Sequence, residues 1–227
     1  MWATRDRSRA FVLAVVMAAI VALLTFASPT EASGAAPPRG PDLDGMPNLM
    51  VRENLGQQWV VKDEYMEAGS CQVVEGDITP GERRVLRFTV MIANVGDADV
   101  YVGDPNDHIS EASNLFEYAE CHGHYHFRNY AQYELIDPES GTVWRAAKAG
   151  FCMIDTDPNP AYLGTPPGPG YYDTCGGVGR PGEQGISAGW TDTYRFDLPG
   201  QFFVLDGGDG QAPVPACTYV LRITANP

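Results

Sequence analysis

Alternation of apolar and polar residues predicts β-strands along most of the chain after residue 47. Within 84–93, every second residue from Leu86 to Ile92 is apolar, while Arg87 and Thr89 fall between them. Successive side chains of a strand point to opposite faces, so this pattern predicts a strand with one buried face. Similar patterns predict further strands at 100–102, 115–127, 130–136, 142–147, 191–197, 202–205 and 218–224.

Turn-forming residues separate these predicted strands. The chain contains 25 Gly and 18 Pro, and the stretch 137–141 (Asp-Pro-Glu-Ser-Gly) indicates a hairpin turn between two of the strands. Residues 157–170 are crowded with Pro and Gly and predict an irregular loop. There is no internal repeat and no long amphipathic helix. Many short strands with frequent turns are typical of a sandwich or barrel, and we predict an all-β sandwich with long irregular loops and few short helices.

The N-terminal segment has the composition of an export signal. Three arginines at positions 5, 7 and 9 precede an apolar run over 10–26, and Pro29 and small residues follow. This order predicts a cleaved signal peptide at 1–32. An uncleaved membrane anchor is the alternative, because a run of 17 residues is at the short limit for a spanning helix. We expect a flexible linker at 33–46 and a folded domain at 47–227.

Export, charge and cysteine content narrow the functional classes. An exported chain would be secreted or held at the cell surface, without a stable membrane partner once its signal is removed. Its five cysteines would then form disulfides in an oxidising compartment. The formal net charge of −14 argues against a nucleic-acid partner and favours cationic ligands.

Histidines are concentrated at one place in the sequence. His122, His124 and His126 alternate within a predicted strand, and the chain has four histidines in all. Alternate side chains share one face of a strand, so the three imidazoles would project together. In a straight strand the outer two Cα atoms lie about 13 Å apart, so a single ion requires the strand to bend or twist. Three neutral imidazoles suit copper, zinc, nickel or iron.

Four ordered motifs resemble the lysyl oxidase family. The segment 121–126 (Cys-His-Gly-His-Tyr-His) resembles the copper-binding motif of that family. Segments 148–156 (Lys-Ala-Gly-Phe-Cys-Met-Ile-Asp-Thr) and 184–194 (Gln-Gly-Ile-Ser-Ala-Gly-Trp-Thr-Asp-Thr-Tyr) are similar to two further family motifs. The terminal segment 219–227 (Tyr-Val-Leu-Arg-Ile-Thr-Ala-Asn-Pro) resembles a fourth. The resemblance runs from about Pro47 to the last residue.

The resemblance implies a copper-dependent amine oxidase that makes its own cofactor. Copper would be held by His122, His124 and His126. Lysyl tyrosylquinone would form between Lys148 and Tyr194, the motif lysine and tyrosine. Such an enzyme oxidises primary amines or peptidyl-lysine with molecular oxygen, and releases an aldehyde, ammonia and hydrogen peroxide. A zinc-dependent hydrolase or a non-enzymatic copper-binding sandwich remains the alternative.

The resemblance also implies a pattern of disulfides. The family pairing corresponds to Cys71–Cys121 and Cys152–Cys175 here, which leaves Cys217 unpaired. Two further family bridges have lost both partners. Asp77 and Gly200 replace the two cysteines of one of these bridges, and Pro158 and Trp190 replace those of the other.

One departure from the family concerns the catalytic base. The animal enzymes carry another histidine in the strand after the copper motif, and Gln132 stands nearest to that place. An amide cannot accept and return a proton as an imidazole does. Asp192, two residues before Tyr194 and on the same predicted strand face, is the candidate base.

Overall fold

Antiparallel β-strands make up most of the regular structure. The computed structural model describes residues 45–52, 58–109, 115–148, 150–159 and 170–225, which all belong to one unit, Ala36–Pro227. The predicted signal peptide therefore lies outside the described residues. The strands are β1 Leu49–Val51, β2 Trp59–Met66, β3 Gly81–Phe88, β4 Val90–Asn94, β5 Val100–Gly103, β6 Phe116–Ala119, β7 His124–Phe127, β8 Ala131–Ile136, β9 Val143–Arg145, β10 Asp157–Pro158, β11 Gln184–Ile186, β12 Trp190–Tyr194, β13 Phe202–Val204 and β14 Val220–Ala225.

Helical structure is short within these described ranges. It comprises the four-residue helix α1, Cys71–Val74, and a single 3-10 turn, Pro105–His108. The prediction of an all-β fold with few short helices is therefore confirmed. No helix in the described ranges is long and apolar enough to cross a membrane.

The strands pair in small antiparallel sheets. One sheet has the order β1-β4-β12-β10, and two three-stranded sheets have the orders β13-β3-β2 and β14-β8-β9. β5 pairs with β11, and β6 pairs with β7. The predicted hairpin is present, because β8 and β9 pair across it, with Ile136 opposite Val143.

The strand predicted at 84–93 is divided in two by Thr89. The Thr89 backbone nitrogen donates to the Gln58 carbonyl at 2.9 Å, and its Oγ1 accepts from the Phe196 nitrogen at 3.1 Å. These bonds replace ladder bonds at one residue. As a result, β3 pairs with β2 and β13, whereas β4 pairs with β1 and β12.

An aromatic core lies between the sheets. Phe151 is fully buried, and its ring packs against those of Tyr130 and Tyr133 with centroids 5.9 and 5.7 Å apart. Tyr133 also packs edge-on against Phe88 at 5.1 Å. Full burial of each such aromatic side chain contributes about 1.5–3 kcal/mol relative to exposure. This core fixes Phe151, next to which the candidate site is built.

The β6–β7 hairpin carries the histidines to the surface of this core. Ala119 pairs with His124 across the hairpin, and residues 120–123 form the turn. Gly123 has a φ angle of +70° in that turn, a backbone conformation that residues other than glycine adopt only at a cost in free energy. The C-terminal end of β7 is fixed by two backbone hydrogen bonds, in which Phe127 and Phe151 each donate to the carbonyl of the other.

Candidate metal centre and adjoining amine

Three imidazoles converge at the start of β7. One ligand atom from each of His122, His124 and His126 lies within 4.8 Å of the others, and Nε2 of His124 is 3.2 Å from Nε2 of His126. The expected continuous strand is wrong at His122, because β7 begins at His124 and His122 belongs to the preceding turn. That turn supplies the bend that a single ion requires.

The site favours neutral imidazoles. Burial lowers the pKa of all three histidines, to about 4 for His124 and to about 2 for His126. The positive charge of Lys148 lowers the pKa of His126 further. Neutral imidazole is the form that binds a metal ion, so the donor set fits a transition metal.

A buried ring nitrogen of His122 supports the same interpretation. Its Nε2 has no hydrogen-bond partner among the described residues, and Glu75 Oε2 lies 3.6 Å away, outside hydrogen-bonding distance. A buried polar atom without a partner is costly unless a further group occupies the site. A metal ion bound by the three imidazoles would meet that requirement.

A cavity of about 560 Å³ adjoins the metal centre, with His126 in its wall. Lys148 and four acidic residues from separate parts of the fold also line it. Glu75 and Asp77 follow α1, Glu117 lies on β6, and Glu120 is an exposed residue of the β6–β7 turn. We call the space lined by these six residues the amine cavity.

Lys148 is buried in the amine cavity. It is 8% exposed, and among the described residues it has neither a hydrogen bond nor an ion pair. Burial lowers the pKa of its amine, although the charges of Asp77, Glu75 and Glu117 act in the opposite direction. The Nζ atom lies 5.3 Å from the centroid of the Phe151 ring.

Tyr194 packs against the same Phe151 ring. The two ring centroids are 4.5 Å apart, and the Tyr194 hydroxyl donates to the Cys152 carbonyl at 2.6 Å. Burial of the phenol raises its pKa well above the ordinary value, although part of the residue remains accessible. The structure therefore brings Lys148 and Tyr194 to one aromatic side chain.

Asp192 lies in the core. It is 1% exposed, and its Oδ2 has no hydrogen-bond partner among the described residues. Burial raises its pKa well above the ordinary value, while the nearby Tyr130 hydroxyl acts to lower it. The protonated carboxyl is favoured, and that form is poorly suited to accept a proton. Gln132 lies on β8, where its amide donates to Glu134 at 3.2 Å.

The disulfide prediction is confirmed. Cys71 is bonded to Cys121 and Cys152 to Cys175, while Cys217 is free and exposed. The first bridge joins α1, with the acidic residues that follow it, to the turn that carries His122.

The residues at the two lost bridges are neighbours in space. A Cβ atom built on Gly200 would lie 2.8 Å from Asp77 Oδ2 and 2.9 Å from Lys148 Cδ. Pro158 and Trp190 are opposed in the β10–β12 pairing. Absence of a side chain at Gly200 thus allows the carboxyl and the lysine to approach the backbone. In the sequence, Asp77 could be singled out because it occupies the position of a missing cysteine. No comparable feature of the sequence marked Glu75 or Glu117 as part of the site.

Comparison with known proteins shows the family. The family model for lysyl oxidase matches residues 60–227. Human lysyl oxidase homolog 3 is 30% identical over 152 residues, which cover 65% of this chain and 17% of that protein. Bovine (Bos taurus) lysyl oxidase homolog 4 is 30% identical over 196 residues, which cover 81% of this chain and 23% of that protein. Mouse lysyl oxidase homolog 2 is 28% identical over 192 residues, which cover 80% of this chain and 22% of that protein. The chain thus spans less than a quarter of the length of these relatives. By its family-model match and these similarities, the chain belongs to the lysyl oxidase family.

Proposed function

We propose that the protein is an exported, copper-dependent amine oxidase that uses lysyl tyrosylquinone made from Lys148 and Tyr194. The observation that carries this proposal is the position of a buried lysine amine beside three neutral imidazoles. His122, His124 and His126 would hold the copper. Family membership supports an activity of the copper amine oxidase type.

The residues of the site suit the parts that the proposal gives them. Burial lowers the pKa of the Lys148 amine, which increases the share of the neutral, nucleophilic form. The hydrogen bond to the Cys152 carbonyl fixes the orientation of the Tyr194 ring. Both groups lie against Phe151, and their presence in one folded chain would make the joining step intramolecular. Copper with oxygen would supply the oxidation of the phenol ring, and the finished quinone would accept electrons from the substrate.

The proposed substrates are primary amines, including the side chain of peptidyl-lysine. The products would be an aldehyde, ammonia and hydrogen peroxide, with molecular oxygen as the final acceptor. Acidic residues around the cavity and the formal charge of −14 favour a cationic substrate. The N-terminal signal predicted at 1–32 favours secretion or a place at the cell surface.

A copper-binding domain without the quinone is the second candidate. The observation in its favour is that the Tyr194 hydroxyl is bonded to the Cys152 carbonyl, and that Lys148 and Tyr194 each lie against Phe151. In that case the three histidines would bind copper while the lysine and tyrosine remained unmodified. Zinc in place of copper would instead favour hydrolytic chemistry.

Mass spectrometry of protein loaded with copper in air tests the proposal. The chain has two lysines, Lys62 and Lys148, so a cross-linked peptide can be assigned without ambiguity. We expect Lys148 joined to Tyr194 and a positive redox-cycling quinone stain on a denaturing gel. Lys148→Ala and Tyr194→Phe should each keep the metal, but lose the stain and all amine oxidation.

The exposed lysine provides the matched control. Lys62→Ala should leave cross-link, stain and activity as in the wild type, because Lys62 lies on β2 and its side chain is 44% exposed. Recovery of Lys148 and Tyr194 on separate unmodified peptides after full copper loading would reject the quinone and favour the copper-binding domain.

A further inference from the structure

The amine cavity carries more acidic groups than Lys148 needs. Glu75, Asp77 and Glu117 all contribute to the charge around Lys148, and each acts to raise its pKa. Even a protonated Lys148 would balance the charge of one carboxylate only. The cavity therefore has an excess of negative charge and attracts a further cation.

Two observations indicate that this space receives a ligand. Its volume of about 560 Å³ falls in the range of about 300–1,000 Å³ that is usual for small-molecule sites. The Lys148 amine lines it in a buried position, without a hydrogen-bond partner among the described residues. The amine is therefore available to interact with a polar group that enters the cavity.

Asp77 is the acidic residue best placed to meet that ligand. Its backbone nitrogen donates to the Gln72 carbonyl at 2.9 Å, which fixes the residue just after α1. Its carboxyl lies against Gly200, close to the stem of Lys148, and makes no hydrogen bond to the described residues. By contrast, Glu117 Oε2 lies 3.5 Å from Arg128, and Glu75 lies beside His122.

We propose that Asp77 binds the ammonium group of the substrate in the amine cavity. The proposal rests on the proposed amine oxidation for its substrate, but the binding itself requires no quinone. A primary ammonium can donate to Asp77 while its slender alkyl chain extends towards the cavity mouth. The amine is thereby held beside Lys148, where the proposed cofactor would form.

Groups around Asp77 determine how binding depends on pH. Burial raises the pKa of Asp77 to about 6, while the charge of Lys148 lowers it and those of Glu75 and Glu117 raise it. His126, in the same cavity wall, favours its neutral form. Because an alkylamine stays protonated up to about pH 10, loss of binding on acidification would report protonation of the carboxyl.

Calorimetric titration of the purified protein with n-butylammonium, under argon, tests this assignment. We expect Asp77→Asn to weaken binding about tenfold or more, because a hydrogen bond to a charged group is lost. Glu139→Gln removes the same charge from an exposed turn and should change affinity less than about twofold. 1-Pentanol, similar in length but uncharged, should bind wild type and Asp77→Asn equally weakly.

A second measurement does not depend on the variant folding. Wild-type affinity for n-butylammonium should fall as the pH is lowered through about 6. The assignment is overturned if the wild type shows no binding, if wild-type affinity is constant between pH 7 and pH 5, or if folded Asp77→Asn binds within twofold of wild type. The quinone stain is scored separately. Asp77-dependent binding in a protein that forms no quinone would reject the proposed oxidase but support the ammonium site. Quinone formation together with binding that does not depend on Asp77 would support the oxidase but reject the ammonium site.

Discussion

Removal of the two disulfides should destabilise the protein to different extents. Cys71 and Cys121 are separated by 50 residues along the chain, and Cys152 and Cys175 by 23. In the loop-entropy description, stabilisation grows with the logarithm of loop length. It gives about 4 kcal/mol for the longer loop and about 3 kcal/mol for the shorter one. Replacement of both cysteines of a pair by serine should lower the free energy of unfolding by these amounts.

Urea unfolding of metal-free protein at neutral pH measures the two losses. Cys217→Ser is the control, because an exposed thiol outside any bridge should change the free energy of unfolding by less than about 0.5 kcal/mol. The Cys71/Cys121 variant should also bind copper more weakly, since that bridge holds α1 to the turn containing His122. The reasoning fails if that variant loses less than about 1 kcal/mol, or if loss of the shorter loop costs more.

Three further predictions concern the metal centre and its surroundings. His124→Ala should lose copper by elemental analysis, while His108→Ala, outside the cluster, should retain it; full occupancy in the first variant would place the metal elsewhere. Gly200→Ala should destabilise the fold by about 1–3 kcal/mol more than Gly141→Ala, because both have positive φ but only Gly200 would crowd Asp77; equal losses would show that the crowding is unimportant. Asp77→Asn should be more stable than wild type above pH 6, with the difference vanishing near pH 4. A carboxyl whose pKa is raised from 3.8 to about 6 destabilises the fold increasingly as the pH rises through this interval, and in full above it; a pH-independent difference in urea unfolding would contradict this.

Strand periodicity predicted several elements that pack in the core. The patterns at 130–136 and 202–205 correspond to β8 and β13, whose buried residues pack in the core. It did not predict β2, because this edge strand exposes Trp59, Val61 and Tyr65. An apolar residue on a solvent-exposed edge carries no burial signal that alternation could reveal.

The candidate site was predicted in its parts rather than in its arrangement. Local spacing indicated the histidine cluster, whereas the turn that brings His122 to it depends on Gly123 and on the bridge from Cys121. The acidic side of the cavity was not predicted, because Glu75 and Glu117 meet only through tertiary packing. Burial likewise determines that Asp192 favours its protonated form, and strand register alone could not reveal this.

The order of the disulfides along the chain has a consequence for oxidative folding. Each bridge joins a cysteine to the next one in sequence, first Cys71 to Cys121 and then Cys152 to Cys175. A polypeptide that emerges from an export channel N-terminus first would present these partners one pair at a time. Each bond could close before the following thiol arrives, and Cys217 would emerge only after the other four cysteines. Such a chain can reach its native pairing by simple oxidation in order of emergence, with little need for a disulfide isomerase.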